Sequence, residues 1–444
     1  MLDDLRDSFE SLARTTQSLL HGGESFELNL HGEDSEFVRL NRGAVRQAGS
    51  VVQRTLSLDL AEGKRHAAGT LRLSGDPGAD RQRVAALVRE LRAQRDELPE
   101  DPWLLSPDEP LSSERVVTSA LPERDEVLDR LVAAGRERDL VGLYASGPVV
   151  QAFASSRGQR NWFVCPSFNL DWSFHLEADR AVKASYAGTR WDGAAFSARL
   201  ERACDELALL ARPTRHLPPG RYPVYLAPDA VAELMGLLSW GGFGLRALRT
   251  KTSPLLRMVE AGEAFHETVT IAEDTAAGTA PDFQEQGFRR PERVPLVEAG
   301  KYRASLVSPR SAVEFDAATN GATSQESPLS LDVAAGDVPT DDVLRRLGSG
   351  IHVSNLHYLN YSDRIRCRAT GMTRFACFAV EGGERVAPIG VLRFDDTLFR
   401  MLGANLIGLT RERETILDPG TYGGRSVGST RVPGALVDDV AFTL

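Results

Sequence analysis

A zinc-activated water needs two imidazoles one helical turn apart and a carboxylate beside them to take its proton. Around Ala227–Leu238 (APDAVAELMGLL) the chain builds the setting for such a pair without the pair itself. The alternating PVYLAP (Pro223–Pro228) reads as a strand, and an amphipathic helix follows it. Pro228 suits the first helical position, where its missing N–H would be unpaired anyway. Val231, Leu234, Met235 and Leu238 recur at helical spacing and give one apolar face. Glu233 sits among Ala, Leu, Met and Gly, and no histidine accompanies it.

Other residues that could do chemistry have plainer readings. His266-Glu267 is half of H-E-x-x-H, but Thr270 stands where the second ligand would be. That stretch (HETVTIAED) reads as a strand, where adjacent residues point to opposite faces. His352, His357 and Cys367 are the densest group of soft ligands. Five residues separate the two histidines, so a metal site would need a bend between them; the alternative is an aromatic-rich strand. Gly424-Arg425-Ser426-Val427-Gly428 spells G-x-S-x-G. A nucleophile elbow also needs a following helix and a downstream histidine, and no histidine follows Ser426. Gly241-Gly242-Phe243-Gly244 lacks the Walker lysine and dinucleotide spacing, so it reads as the stop of the preceding helix. From the residues alone the chain is assigned no catalytic, cofactor-binding or metal-binding residue.

The 444 residues, 42% hydrophobic and 26% charged, describe a globular protein with room for large cores. A net charge of −10 argues against extended nucleic-acid binding, which runs on Lys and Arg neutralising phosphates. The four cysteines form no C-x-x-C, so neither a disulfide framework nor a zinc knuckle is suggested. The charged N-terminus lacks the apolar core of a signal peptide, and no run of about 18 apolar residues occurs. A cytoplasmic protein without a membrane partner is expected.

Three stretches must position any site. A helix over Leu2–Leu20 precedes alternating segments at Phe26–Leu30, Leu56–Leu60 and Leu71–Leu73, with turns expected at HGED (His31–Asp34) and AEGKRH. A helix over Asp80–Leu98 follows, and Pro99–Glu114 reads as a linker. Beyond it come a helix at Arg124–Gly135, strands at Leu140–Ala145, Val149–Ser155, Asn161–Val164, Asp171–His175 and Val182–Tyr186, and a helix at Asp192–Leu210. After a second boundary at Ala211–Arg221, strand-and-turn patterns dominate. Asn320–Thr340 reads as exposed loop, with a short helix at Asp341–Leu347. The fold class is α+β: an N-terminal antiparallel sheet with helices (1–110), a middle α/β-type unit (111–215) and a large, mainly β C-terminal domain (216–444).

Three segments together resemble the TldD/PmbA family. They are ESFELNLHGEDSEFVRLNRGAVRQAG (Glu24–Gly49), YPVYLAPDAVAELMGLLSWGGFG (Tyr222–Gly244), and Gly348–Tyr361 with Thr370–Thr415. The resemblance spans nearly the whole chain in the expected order. In this family a TldD-type subunit is a metallopeptidase whose zinc is held by H-E-x-x-H and a late cysteine. A TldE/PmbA-type subunit lacks these ligands. Here the central helix has no histidine, Cys377 is the last cysteine, and Pro419–Pro433 holds none. The resemblance therefore implies a TldE/PmbA-like subunit that binds no cofactor itself. It would pair with a zinc-bearing TldD-type partner, or with itself, in an assembly acting on unfolded peptides. A homodimeric binding or scaffold protein of the same fold is the alternative. The family's naming as a modulator of DNA gyrase implies a pathway effect and no direct DNA contact.

Overall fold

The structure, a computed structural model, describes residues 2–177 and 180–444. Helix α1 (Leu2–Ser18) buries Leu5, Phe9 and Leu12, the stripe its spacing predicts. The hairpin of β1 (Glu24–Asn41) and β2 (Ala44–Glu62) follows, then β3 (Arg65–Arg72). The turn predicted at His31–Asp34 does not form, because β1 runs straight through it. Glu33 is buried there and is satisfied by the Gln53 side-chain amide and the Arg425 backbone N–H. Polarity in this segment marks an internal contact rather than a solvated turn.

Helix α2 (Pro77–Glu97) begins before Asp80, capped by Asp76, whose carboxylate accepts the Ala79 N–H at 2.7 Å. After β4 (Ser113–Val116) and α3 (Arg124–Ala134) come β5 (Asp139–Ser155), β6 (Arg160–Glu177), β7 (Arg180–Gly188) and α4 (Gly193–Leu210). The sequence predicts breaks near Gly147-Pro148 and Pro166, yet β5 and β6 are continuous. Pro148 lies opposite Pro166, which confines the missing donors to one rung of the ladder. At Gly147 a Cβ would lie 2.1 Å from the Asp34 carbonyl oxygen, so only glycine lets β1 approach.

One sheet, ordered β3-β2-β1-β5-β6-β4 with β7 also on β6, carries strands from both the 1–110 and 111–215 stretches. β1 pairs with β5 from Glu27↔Ser155 to Leu40↔Gly142. Alternation along β5 divides the faces. Val150, Ala152 and Ala154 pack beneath α1 and α2, while Val149 and Phe153 meet Phe283 and Val427 from the C-terminal half.

The second sheet is built from β8 (Gly220–Leu226), β9 (Ile271–Asp274), β10 (Arg293–Glu298), β11 (Lys301–Tyr302), β12 (Ser330–Val333), β13 (Gly350–Val353), β14 (Asn355–Asp363), β15 (Arg368–Arg374), β16 (Phe378–Glu381), β17 (Glu384–Pro388), β18 (Arg393–Thr397), β19 (Leu406–Leu417) and β20 (Ser429–Phe442). Helix α5 (Pro228–Ser239) packs against it. β20 is the hub, pairing with β12, β19, β8 and β18.

Strand character is shorter than predicted at 266–274, where the strand covers only Ile271–Asp274. The stretch predicted as exposed loop, Asn320–Thr340, contains β12, fully buried between β9 and β20. Its Asp332 is held by Arg413 at 2.7 Å and Arg431 at 2.5 Å. Buried ion pairs take the place that water would have in a loop.

The α+β architecture is as the sequence indicates. Among the described residues, no helix is long and apolar enough to cross a membrane.

Candidate functional site

Helix α5 forms where the sequence places it. Pro228 occupies its first turn, and Val231, Leu234, Met235 and Leu238 are all buried. Gly241, at φ +78°, turns the chain at the end, and the Gly242 N–H returns to the Leu238 carbonyl at 2.8 Å. The glycine run is thus a helix stop. The opposite face carries Asp229, Glu233, Gly236 and Trp240, spaced by four, three and four residues. A Cβ added to Gly236 would meet nothing within 4 Å, and Trp240 is 61% exposed. This face is open.

Beside it lies a cleft of about 590 Å³ between the two sheets. Helix α4 contributes Arg199, Arg202 and Glu206 from one face, and β7 contributes the consecutive residues 182–185. The C-terminal half adds Tyr225, Asp229, His352, Asn355, Arg385 and Glu414. Consecutive strand residues lining one space mean that the edge of β7, not a face, is presented. β7 pairs with β6 alone, so that edge has no strand partner among the described residues.

Charges in the cleft are mostly paired. Arg385 meets Glu206 at 2.6 Å, Lys183 meets Asp171 at 3.1 Å, and Arg199 is bound to Glu414 and stacks over Tyr186 at 4.5 Å. Among the described residues, Asp229 has only the Ser185 hydroxyl, at 3.4 Å. Burial, with the nearby Glu414 and Asp171 carboxylates adding to it against Lys183, pushes its carboxyl up to about 6. Glu233 is raised by burial too, against the pull of Lys183 and His357. His352 lies between Tyr225 and Phe378, its ring near-parallel to both at 5.4 and 6.0 Å. Burial, then the charges of Arg385 and Arg202, pushes it down to about 3, so its imidazole is neutral.

The soft ligands singled out from the sequence are not brought together. His352 is buried in this aromatic stack, whereas His357 is exposed on β14 against Tyr358. Cys367 is buried in the C-terminal core, and burial raises its thiol. His266 sits in a turn rather than a strand, its Nδ1 2.9 Å from the Thr268 hydroxyl. Ser426 is exposed and accepts the Gly428 N–H at 3.0 Å, and a strand follows it where an elbow would need a helix. Within that glycine-rich segment the buried residue is Arg425.

These donors do not suit zinc. The open face of α5 offers two carboxylates and no imidazole or thiolate. Among the described residues, no group of three or more His, Cys, Asp and Glu is placed to hold a metal ion. Sequence reasoning missed Asp229, Arg202 and Asn355, since single polar residues outside any motif give no signal until the fold gathers them.

Residues 219–444 match the model of the PmbA/TldA metallopeptidase C-terminal domain, which is half of the chain. No curated protein matches the sequence closely enough to count as a relative. Three solved structures share the whole fold. TldE from Thermococcus kodakarensis has a TM-score of 0.80 at 14% identity, covering 98% of this chain and 100% of that one. A protein described as a modulator of a DNA gyrase from Thermotoga maritima gives 0.75 at 13%, covering 100% of both. Its counterpart from Bacteroides thetaiotaomicron gives 0.75 at 14%, covering 99% and 98%. At such identities the likeness speaks for the fold, and the matched C-terminal domain speaks for descent: the chain belongs to the TldD/PmbA family.

Proposed function

We propose that this chain is the non-metal, TldE/PmbA-like subunit of a TldD/TldE-type peptidase assembly that acts on unfolded peptides. The observation that carries the reading is the outer face of α5, which presents Asp229, Glu233, Gly236 and Trp240 in place of a ligand set for zinc. A TldD-type partner would supply the metal and the water it activates. This chain would shape the chamber and hold substrate. The unpaired edge of β7 along the cleft supports holding an extended peptide by strand addition, a mode that reads backbone more than side chains. A cytoplasmic location belongs to the reading and fits four unpaired cysteines.

Zinc content and peptidase activity should be measured on the purified chain, and again after mixing with a TldD-type subunit. Activity and stoichiometric zinc should appear only with the partner. Chelator-sensitive cleavage by this chain alone would overturn the division of labour. Recovery of the chain only as a dimer of itself, with no TldD-type partner from cells, would favour the binding or scaffold alternative.

A further inference from the structure

The cleft holds one guanidinium that the protein leaves uncommitted. On the α4 face, Arg199 is taken by Glu414, and Glu206 is taken by Arg385 across the cleft. Arg202 lies between them in sequence and lines the same space, yet it makes no hydrogen bond or ion pair among the described residues. In the same cleft two side chains, each 7% exposed, carry a polar atom with no partner among the described residues: His352 Nδ1 and Asn355 Oδ1. A buried polar atom left without a partner costs about 1–3 kcal/mol, so such pairs mark places where a ligand's own polar groups are welcome. The carboxylates lining the wall are Glu206 and Glu414, already neutralised; Glu412, which accepts from Thr340; Asp341; and Asp229, which is on α5 and among the described residues bonded only to Ser185.

We infer that this cleft anchors the free α-carboxylate of a peptide at Arg202, with the terminal residue seated over His352 and Asn355. The inference rests on the proposed peptide-handling role and names which part of the peptide this chain recognises. A guanidinium presents two parallel N–H donors that match a carboxylate, whereas a terminal amide can accept no such charge-assisted pair. Neutral His352 suits the seat, since an imidazolium would compete for the carboxylate. Asn355 Oδ1, an acceptor, would take an amide N–H of the last residue. The volume, about 590 Å³, suits a few residues of chain and not a folded domain. The cleft would thus favour chain ends over internal segments.

Isothermal titration of the purified chain with tetra-alanine bearing a free carboxylate, and with its C-terminal amide, tests this directly. The free acid should bind at least about tenfold more tightly, equivalent to 1.4 kcal/mol. Arg202→Ala should erase the difference between the two peptides, and Arg202→Lys should restore part of it. Equal affinity for acid and amide, or no binding of either at millimolar concentration, would overturn the inference. So would a preference that survives Arg202→Ala. Because Arg202 is exposed, its replacement leaves the core intact, and thermal melting of each variant confirms this. Zinc and partner assays remain separate. An active assembly whose chain ignores the peptide terminus keeps the subunit reading and loses this one, while carboxylate-selective binding by a chain that gains neither zinc nor activity with a TldD-type subunit does the reverse.

Discussion

Asp229 shows how a single position can carry more chemistry than its sequence context announces. It stands in the first turn of α5, where a negative charge is welcome to the helix dipole, yet its surroundings hold it toward the neutral acid. Burial is the larger cause, and the Glu414 and Asp171 carboxylates add to it. A carboxyl raised to about 6 in the fold favours the protonated state. Its contribution to stability is therefore full below about pH 4 and is lost as pH rises through 6. Asp229→Asn removes the ionisation and keeps the shape. The variant should be more stable than the parent at pH 8, by up to about 3 kcal/mol, and no more stable at pH 4. Urea denaturation at the two pH values reads the gap; a gap of equal size at both would show that Asp229 ionises freely. The same residue was invisible in the sequence, where Asp beside Pro at a helix start is simply a good first turn. Glu233 could be seen, because a motif-sized hole surrounded it.

At the scale of elements, what could be read followed periodicity, and what could not followed satisfied polarity. α1, α4 and α5 show apolar residues three and four apart, and the structure buries those same residues. In the sequence the long strands read as fragments, because Gly147, Pro148 and Pro166 carry the local marks of turns. Their compatibility depends on partners distant in sequence, namely Asp34 for Gly147 and each proline for the other. β12 was hidden for the same reason, since Asp332 looks solvent-seeking until Arg413 and Arg431 close on it. The open face of α5 was legible, but the cleft beside it was not, because its residues come from α4, β7, β13, β14 and β19. A comparable device joins β1 to α2. The Glu24 carboxylate, its side chain 1% exposed, receives Arg92 at 2.6 Å and Arg95 at 2.8 Å. Arg92 first, with the His21 N–H and Arg95, holds it down to about 2 against burial. That stabilisation is complete above about pH 4.5 and fades as pH falls toward 2. Glu24→Gln should cost about 2–4 kcal/mol at pH 7, with the deficit shrinking in acid. Guanidinium melts at pH 7 and pH 3 would check it, and a deficit that does not change with pH would argue for lost shape rather than lost charge.

Across the whole molecule, the cleft exists only because the two sheets are locked at a fixed separation, and two arginines, half-buried Arg115 and buried Arg425, supply much of the lock. Arg115, from β4, donates to the carbonyls of Thr275, Ala280, Ala276 and Gly278 at 2.6–3.1 Å, binding the first sheet to a loop of the C-terminal half. Arg425 does the converse. Its guanidinium reaches into the first sheet, donating to the Gly147 carbonyl at 2.9 Å and to the Ser167 carbonyl and hydroxyl at 2.9 and 2.8 Å, while its backbone N–H meets Glu33 at 3.1 Å. Burial pulls its charge down, and Glu33 supports it. Removing the guanidinium would take the donor from the Gly147 and Ser167 carbonyls and the neighbouring positive charge from buried Glu33, which keeps the backbone N–H and Gln53; losing one partner of a buried charge pair costs about 3–5 kcal/mol. Arg425→Ala should lower stability by that amount and free the segment between β19 and β20, where Tyr422 is already fully exposed. Limited proteolysis should then cut between Leu417 and Ser429 well before it cuts the parent chain. Arg425→Lys should recover little, since an ammonium cannot span the Gly147 and Ser167 carbonyls in one plane. If the lysine variant behaves as the parent does, the charge matters and the fork does not. If even the alanine variant resists protease and keeps its stability, the sheets are held by their apolar contacts, Phe153 and Phe163 with Phe283 and Val427, and the arginine merely fills the space between them.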